Sequence, residues 1–403
     1  MRIGFFFDGH SEGGGIFQQA QAYYDKIINH KNDKYQLIII VNSKKNSEAL
    51  KKNKIKHLYF KKTFIQKIIF YLFSFRLFQY FFRKLKITNP FEKFLKRNQI
   101  SLIVFNSPSP YIFYARNIHY VVNIWNTDLK KYNFFPEFIE DSSYTNQSSI
   151  IKEAVMYSFR IVVFTDDNIK DLELYYNCPR EKILTQVIFP YLPIIYENNE
   201  KDINKIQNNF LGFDLKPEIS IFLYPAQYFA HKNHKFLIDV AKNIKSKTNK
   251  KFLFLFTGID KGNLAFLKQI TVQANLNDTV KFYDNVKNEY LVKMYLICDA
   301  LISSTYIGKL SLPLLEAFYF QKPIFYSKGI LDQKIEQKVF SFDLDNIDDL
   351  SKQLIDFIDN KKKFLNNIKN NKSYYDLNCK NNSFEDIYNN IFDQFIFLRN
   401  KWK

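Results

Sequence analysis

Cysteine is nearly absent. Cys178, Cys298 and Cys379 are the only three, widely spaced and odd in number. They form no CxxC pair and no even framework, so neither a disulfide scaffold nor a cysteine-based metal site follows. Glycine is scarce as well: the chain has ten, and four of them fall within Gly9–Gly15. A chain that concentrates its few glycines in one loop needs backbone freedom there. No stretch reaches the ~18 uncharged apolar residues of a membrane-spanning helix. After Arg2, the apolar run Ile3–Phe7 ends at Asp8, too short for the core of a secretory signal. A cytoplasmic protein is expected. Acidic residues are in deficit, 40 against 58 Lys and Arg. That deficit is local, because residues 51–97 hold fourteen Lys or Arg against Glu92 alone, a net charge of +13.

What is present points to two domains. A chain of 403 residues with 46% hydrophobic content can build two cores. Apolar strand-like runs alternate with helical patterns through residues 1–195 and again through 217–380, with a polar Asn-, Lys- and Glu-rich linker at 196–216 and a charged helical tail at 381–403. The expected fold class is α/β, two Rossmann-like doubly wound domains with a cleft between them. Residues 64–86 interleave aromatics with Lys67, Arg76, Arg83, Lys84 and Lys86. Such a segment suits docking on an anionic membrane surface, or equally a packed helix pair with a basic solvated face. The charge also fits nucleic acid, but no RNA- or DNA-binding motif accompanies it, so no nucleic-acid partner is expected.

Three strand-to-helix turns carry the chemistry. Arg2–Phe7 leads through the glycine-rich loop, with Gly14 and Gly15, into a helix from Ile16. The spacing is not GxGxxG, so a dinucleotide fingerprint is a poor reading. Ile219–Tyr224 leads through Pro225-Ala226-Gln227 to His231-Lys232-Asn233-His234 and a helix. A lysine at such a turn is a point charge aimed at an anion. His231 and His234 alone make a poor metal site, the more so with Lys232 between them, and no metal is expected. In the third turn, Ala300–Ser303 leads through a loop containing Gly308 and Ser311 to a helix that starts at Leu312-Pro313. Proline is tolerated in a first helical turn, and a helix N-terminus is an anion site. Glu316, about one turn in, can reach a polar group beside that anion. A phosphate with hydroxyls next to it describes a sugar nucleotide.

The third turn resembles the "PTYFGPTNLPPLEA" segment of group-1 (GT4-like) retaining GT-B glycosyltransferases, which build bacterial surface polysaccharides. The resemblance runs through Thr305-Tyr306, Gly308, Leu312-Pro313 and Leu315-Glu316-Ala317. The second turn resembles the family's "yPaq..pHKNh", and Trp125, Asp128-Leu129 and Phe135-Pro136-Glu137 resemble its "vWDl.Hr..P.FPE". The resemblance implies a GT-B fold. It implies transfer of a sugar, with retention, from a nucleotide-sugar to a hydroxyl of a glycan or lipid-linked acceptor, without an obligatory metal or other cofactor. It places the donor on Gly14, Gly15, Gln227, Lys232, Gly258, Val286, Gly308, Ser311, Leu312 and Glu316. Lys232 would meet the diphosphate, Glu316 the ribose, and Asp128 the acceptor. Two positions depart from the common pattern: Gly308 replaces a Glu and Gln227 replaces an Arg. A non-catalytic GT-B partner subunit at the membrane and a GT-B sugar-nucleotide epimerase remain as alternatives.

Overall fold

Most strand runs in this sequence are almost continuously apolar, as strands buried on both faces must be. The computed structural model describes residues 1–9, 14–64, 68, 89–115, 117–139, 143–213, 215–309, 311–368, 371–380 and 384–401. In it the runs form two sheets. The first contains β1 (Arg2–Phe7), β2 (Gln36–Val41), β3 (His57–Tyr59), β4 (Ile100–Phe105), β5 (His119–Ile124), β6 (Arg160–Val163) and β7 (Ile183–Thr185), in the order β3-β2-β1-β4-β5-β6-β7. The second contains β8 (Ser220–Pro225), β9 (Phe252–Thr257), β10 (Val280–Tyr283), β11 (Ala300–Ser303), β12 (Ile324–Ser327) and β13 (Phe340–Phe342), in the order β10-β9-β8-β11-β12-β13. Every pairing among these strands is parallel.

Both sheets reverse their strand order beside their first strand, between β1 and β4 and between β8 and β11. In a doubly wound sheet the helices that follow two such strands cover opposite faces. The carboxyl ends of the strands therefore open onto a crevice at that point.

Helices cover the sheets through apolar faces at helical spacing. In the helix His234–Lys247, Phe236, Leu237, Val240, Ala241 and Ile244 are buried. In the last helix, Phe384–Lys401, the buried side chains are Phe384, Tyr388, Ile391, Phe392 and Phe395. This helix packs on the first sheet. The Phe5 ring lies 5.6 Å from that of Phe384 and 5.2 Å from that of Tyr388, and the Tyr388 hydroxyl donates to Asn123 Oδ1 at 2.8 Å. Each such side chain contributes roughly 1.5–3 kcal/mol when fully buried, an upper figure because unfolded chains are themselves partly collapsed.

The polar stretch 196–216, between the two sheets, is partly helical. The helix Leu192–Lys205 runs into it, kinked at Asn199, and buries Leu192, Ile195 and Ile203. A 3-10 turn, Asn208–Leu211, follows and buries Leu211. A few apolar residues on one face outweigh a polar majority, because only that face has to be buried. The basic aromatic stretch falls largely outside the described residues. Phe64 and Ile68, which are described, are exposed.

Candidate active site

The carboxyl ends of β8 and β11 meet the glycine-rich loop of the first domain around a cavity of about 330 Å³. Gly14, Gly15, Gln227, Lys232, Gly258, Val286, Ser311, Leu312 and Glu316 all line it. Asp128 and Gly308 are not among its lining residues. Gly308 nevertheless stands next to it. Its φ of +115° is one that side chains rarely adopt, and a Cβ there would come within 4.0 Å of the Lys232 ammonium. Glycine keeps that approach open. Gly258 answers a different need. A Cβ there would collide with the Ala226 carbonyl and lie 2.8 Å from Gln227 Cα, so its hydrogen lets the turns after β8 and β9 touch.

Lys232 ends a 3-10 turn, Ala230–Lys232, that precedes the helix His234–Lys247. The turn is held from the sheet. The Tyr224 hydroxyl donates to the Lys232 carbonyl at 2.8 Å, and the Ser304 hydroxyl reaches the carbonyls of Lys232 and Asn233 at 3.2 and 2.9 Å. Its ammonium makes no hydrogen bond or ion pair with another described residue. Burial pushes its pKa down to about 8, against the pull of Asp128 and Glu137. An amine held like this gains from an arriving anion.

Glu316 lies one turn into the helix Leu312–Tyr319 and is 1% exposed. The Tyr295 hydroxyl donates to its Oε2 at 2.8 Å. Its Oε1 has no partner among the described residues. Burial pushes the carboxyl up to about 8, only partly offset by Tyr295. An unpartnered buried oxygen is costly unless a ligand completes it. No side chain caps the helix at Ser311, and Pro313 supplies no N–H, so the amides of Leu312 and Leu314 remain for an anion.

The first domain faces this site with a shelf. Asp128 opens a 3-10 turn, Asp128–Lys130, and its N–H is taken by Asn126 Oδ1. Asp171 anchors the turn, accepting from Thr127 at 2.7 Å and pairing with Lys131 at 2.6 Å. Burial raises the pKa of Asp128, and Asp171 adds to the rise, while Lys131, Lys309 and Lys232 oppose it. Asp128 is thus within electrostatic reach of Lys232 from the other side of the cleft. Three further ties cross the cleft. Gln227 Nε2 sits 2.5 Å from where a Gly14 Cβ would be. Lys309 pairs with Asp167. Glu137, in the helical turn Pro136–Ile139, accepts from the His231 N–H at 3.0 Å and from its Nδ1.

The two histidines lie in different surroundings. Burial and the neighbouring Lys232 keep the His231 ring neutral despite Glu137. The His234 ring packs among Tyr224, Tyr228 and Phe256. In the sequence Glu137 is only part of a motif, and nothing there points to Tyr295 as the partner of Glu316. Nothing local marks either one, since their partners lie 94 and 21 residues away.

Residues 206–374 match the family model described as glycosyl transferases group 1. No curated protein matches the chain by sequence. Several solved structures are similar over nearly its whole length. HepE of Anabaena, in complex with UDP and glucose, shares 14% identity over 94% of this chain and 95% of that one, with a TM-score of 0.68. A glycosyltransferase of Rickettsia africae shares 15% over 97% and 98%, with a TM-score of 0.64. WaaG, a glycosyltransferase involved in lipopolysaccharide biosynthesis, shares 13% over 93% and 95%, with a TM-score of 0.64. At such identities the likeness establishes the fold.

Proposed function

We propose that this chain, a glycosyltransferase of GT-B fold whose residues 206–374 match group 1, moves a sugar from a nucleotide-sugar to a hydroxyl of a glycan or lipid-linked acceptor. One observation carries the reading. One cavity at the switch point of the second sheet is lined by Lys232, whose ammonium has no hydrogen-bond or ion-pair partner among the described residues, and by the buried Glu316 carboxyl, whose Oε1 has none among them either. A diphosphate satisfies the first and ribose hydroxyls the second. Lys232 and the amides of Leu312 and Leu314 meet the charge that grows as the diphosphate departs, which is electrostatic catalysis. That positive charge comes from the protein itself, so the reading calls for no metal ion. Asp128 stands on the acceptor side, where it takes the hydrogen bond of the incoming hydroxyl. Retention goes with the group-1 resemblance. A role in surface-polysaccharide assembly is supported by the likeness to WaaG.

The test is a panel of nucleotide-sugars scored by thermal shift, since a ligand bound to the native state stabilises it by mass action. UDP-sugars come first, because HepE was solved with UDP. One base is expected to raise Tm and to support transfer to a hydroxyl acceptor. No shift with any nucleotide overturns the reading. A shift without transfer favours a non-catalytic subunit, or an epimerase that acts on the donor alone.

Among the described residues no helix is long and apolar enough to cross a membrane. The net charge of +13 on residues 51–97 supports a peripheral seat on anionic lipid. Each basic residue near such a surface contributes about 1 kcal/mol, which salt screens away. The protein is expected to sediment with anionic vesicles at low salt and to stay in solution with neutral ones. Equal behaviour with both rejects the seat.

A further inference from the structure

The residue before Lys232 is held from the opposite domain. His231 is gripped at three points. Its N–H and its Nδ1 both go to the Glu137 carboxylate, and its carbonyl accepts from the Tyr306 N–H at 2.9 Å. Its ring stacks on Phe138, 5.8 Å away at 19°, and on Phe229, 5.3 Å away at 24°. The side chains of His231 and Glu137 are only 11% and 8% exposed. Glu137 and Phe138 come from the first domain, on the same segment as Asp128. Lys232 gains no partner from this arrangement.

The geometry points to Glu137 as a positioning residue: reaching across the cleft, it fixes the turn on which the other domain presents Lys232 to the donor diphosphate. This rests on the donor reading above. It also links the two halves of the reaction, because the segment that carries the acceptor-side Asp128 sets the donor-side lysine. Lys232 is then correctly aimed only while the two domains are together.

Charge and position are separated by the choice of variant. Glu137 is an anion that also helps to hold the Lys232 pKa up. If it acted through space alone, Glu137→Ala and Glu137→Gln would behave alike and Glu137→Asp would match the wild type. If it positions Lys232, losing its grip on the turn weakens binding whether or not the charge stays. Charge-assisted hydrogen bonds of this kind contribute enough to change an equilibrium by roughly tenfold to a hundredfold.

The experiment measures the affinities of UDP, GDP and ADP and of their parent nucleosides, in wild type and variants, by titration calorimetry. The readout is the diphosphate advantage, the ratio of the diphosphate affinity to that of its nucleoside. Glu137→Ala is expected to lower that ratio about tenfold or more, with nucleoside affinity unchanged. If Glu137→Ala does not fold, Glu137→Asp replaces it. That variant keeps the charge but falls one methylene short of the His231 amide, so the same loss is expected. Glu137→Gln, which can still accept from that amide, is expected to recover most of the ratio. A wild-type ratio, or a higher one, in Glu137→Ala or Glu137→Asp overturns the positioning role while leaving the donor site standing. Failure of the wild type itself to bind any of these ligands refutes the donor reading instead.

Discussion

Lys232→Ala is expected to lower turnover by ~10²–10³-fold, the loss seen when one donor to a developing anion is removed. The lysine is half-buried and lines the cavity, where a charge acts more strongly than in open water. The cavity also keeps a place for its partner: Gly308 leaves the space beside the ammonium open. The charge it meets grows as the sugar–phosphate bond breaks, so the loss belongs mainly to kcat, with a smaller part in KM. Nucleoside affinity should be untouched, because the proposed seat of the ribose is Glu316. Steady-state kinetics with calorimetry of the nucleoside separates the two. Normal turnover in the variant would place the diphosphate elsewhere and favour a chain that binds nucleotide without using it.

The readable parts of this protein were those whose physics is local. Apolar runs such as Ile38–Val41 and Leu253–Phe256 read as strands because a doubly covered parallel strand leaves little room for polar residues. That Lys232 and Glu316 line one cavity is legible because each stands at a fixed offset from a strand end or a helix start. Short edge strands such as His57–Tyr59 and Phe340–Phe342 are too brief to carry a period. The helix Leu192–Lys205 was hidden by its polar majority. The resemblance marks Gly258 as a donor position, but only the fold shows the Ala226 carbonyl pressed against it. The contacts that complete the site were out of reach for a different reason. The grip of Glu137 on His231, the pairing of Lys309 with Asp167 and the hold of Tyr295 on Glu316 join residues that only the assembled domains bring together. No spacing rule covers a contact made across a cleft.

Glu316 is expected to make nucleoside affinity rise with pH, and Lys232 to make diphosphate affinity fall with it. Burial holds the Glu316 carboxyl at about 8, so at neutral pH it is mostly protonated. Ribose hydroxyls that donate to it favour the carboxylate and lower its pKa, so binding releases a proton. Nucleoside affinity should therefore climb by up to about tenfold per pH unit below 8 and level off above it. Lys232 behaves in the opposite sense. Burial pulls it down to about 8. A phosphate at its side raises it again, so binding takes up a proton, and affinity for inorganic pyrophosphate should fall as pH rises through 8. A nucleoside diphosphate engages both ends, and its two proton exchanges should largely cancel. Calorimetry in two buffers of different ionisation heat reads this directly: release with the nucleoside, uptake with pyrophosphate, near balance with the diphosphate. Glu316→Gln cannot ionise. Its nucleoside affinity should be flat with pH, close to wild type at about pH 6 and well below it at about pH 9. If wild-type nucleoside binding is itself flat and Glu316→Gln matches it throughout, the carboxyl does not meet the ribose and serves only the packing around Tyr295.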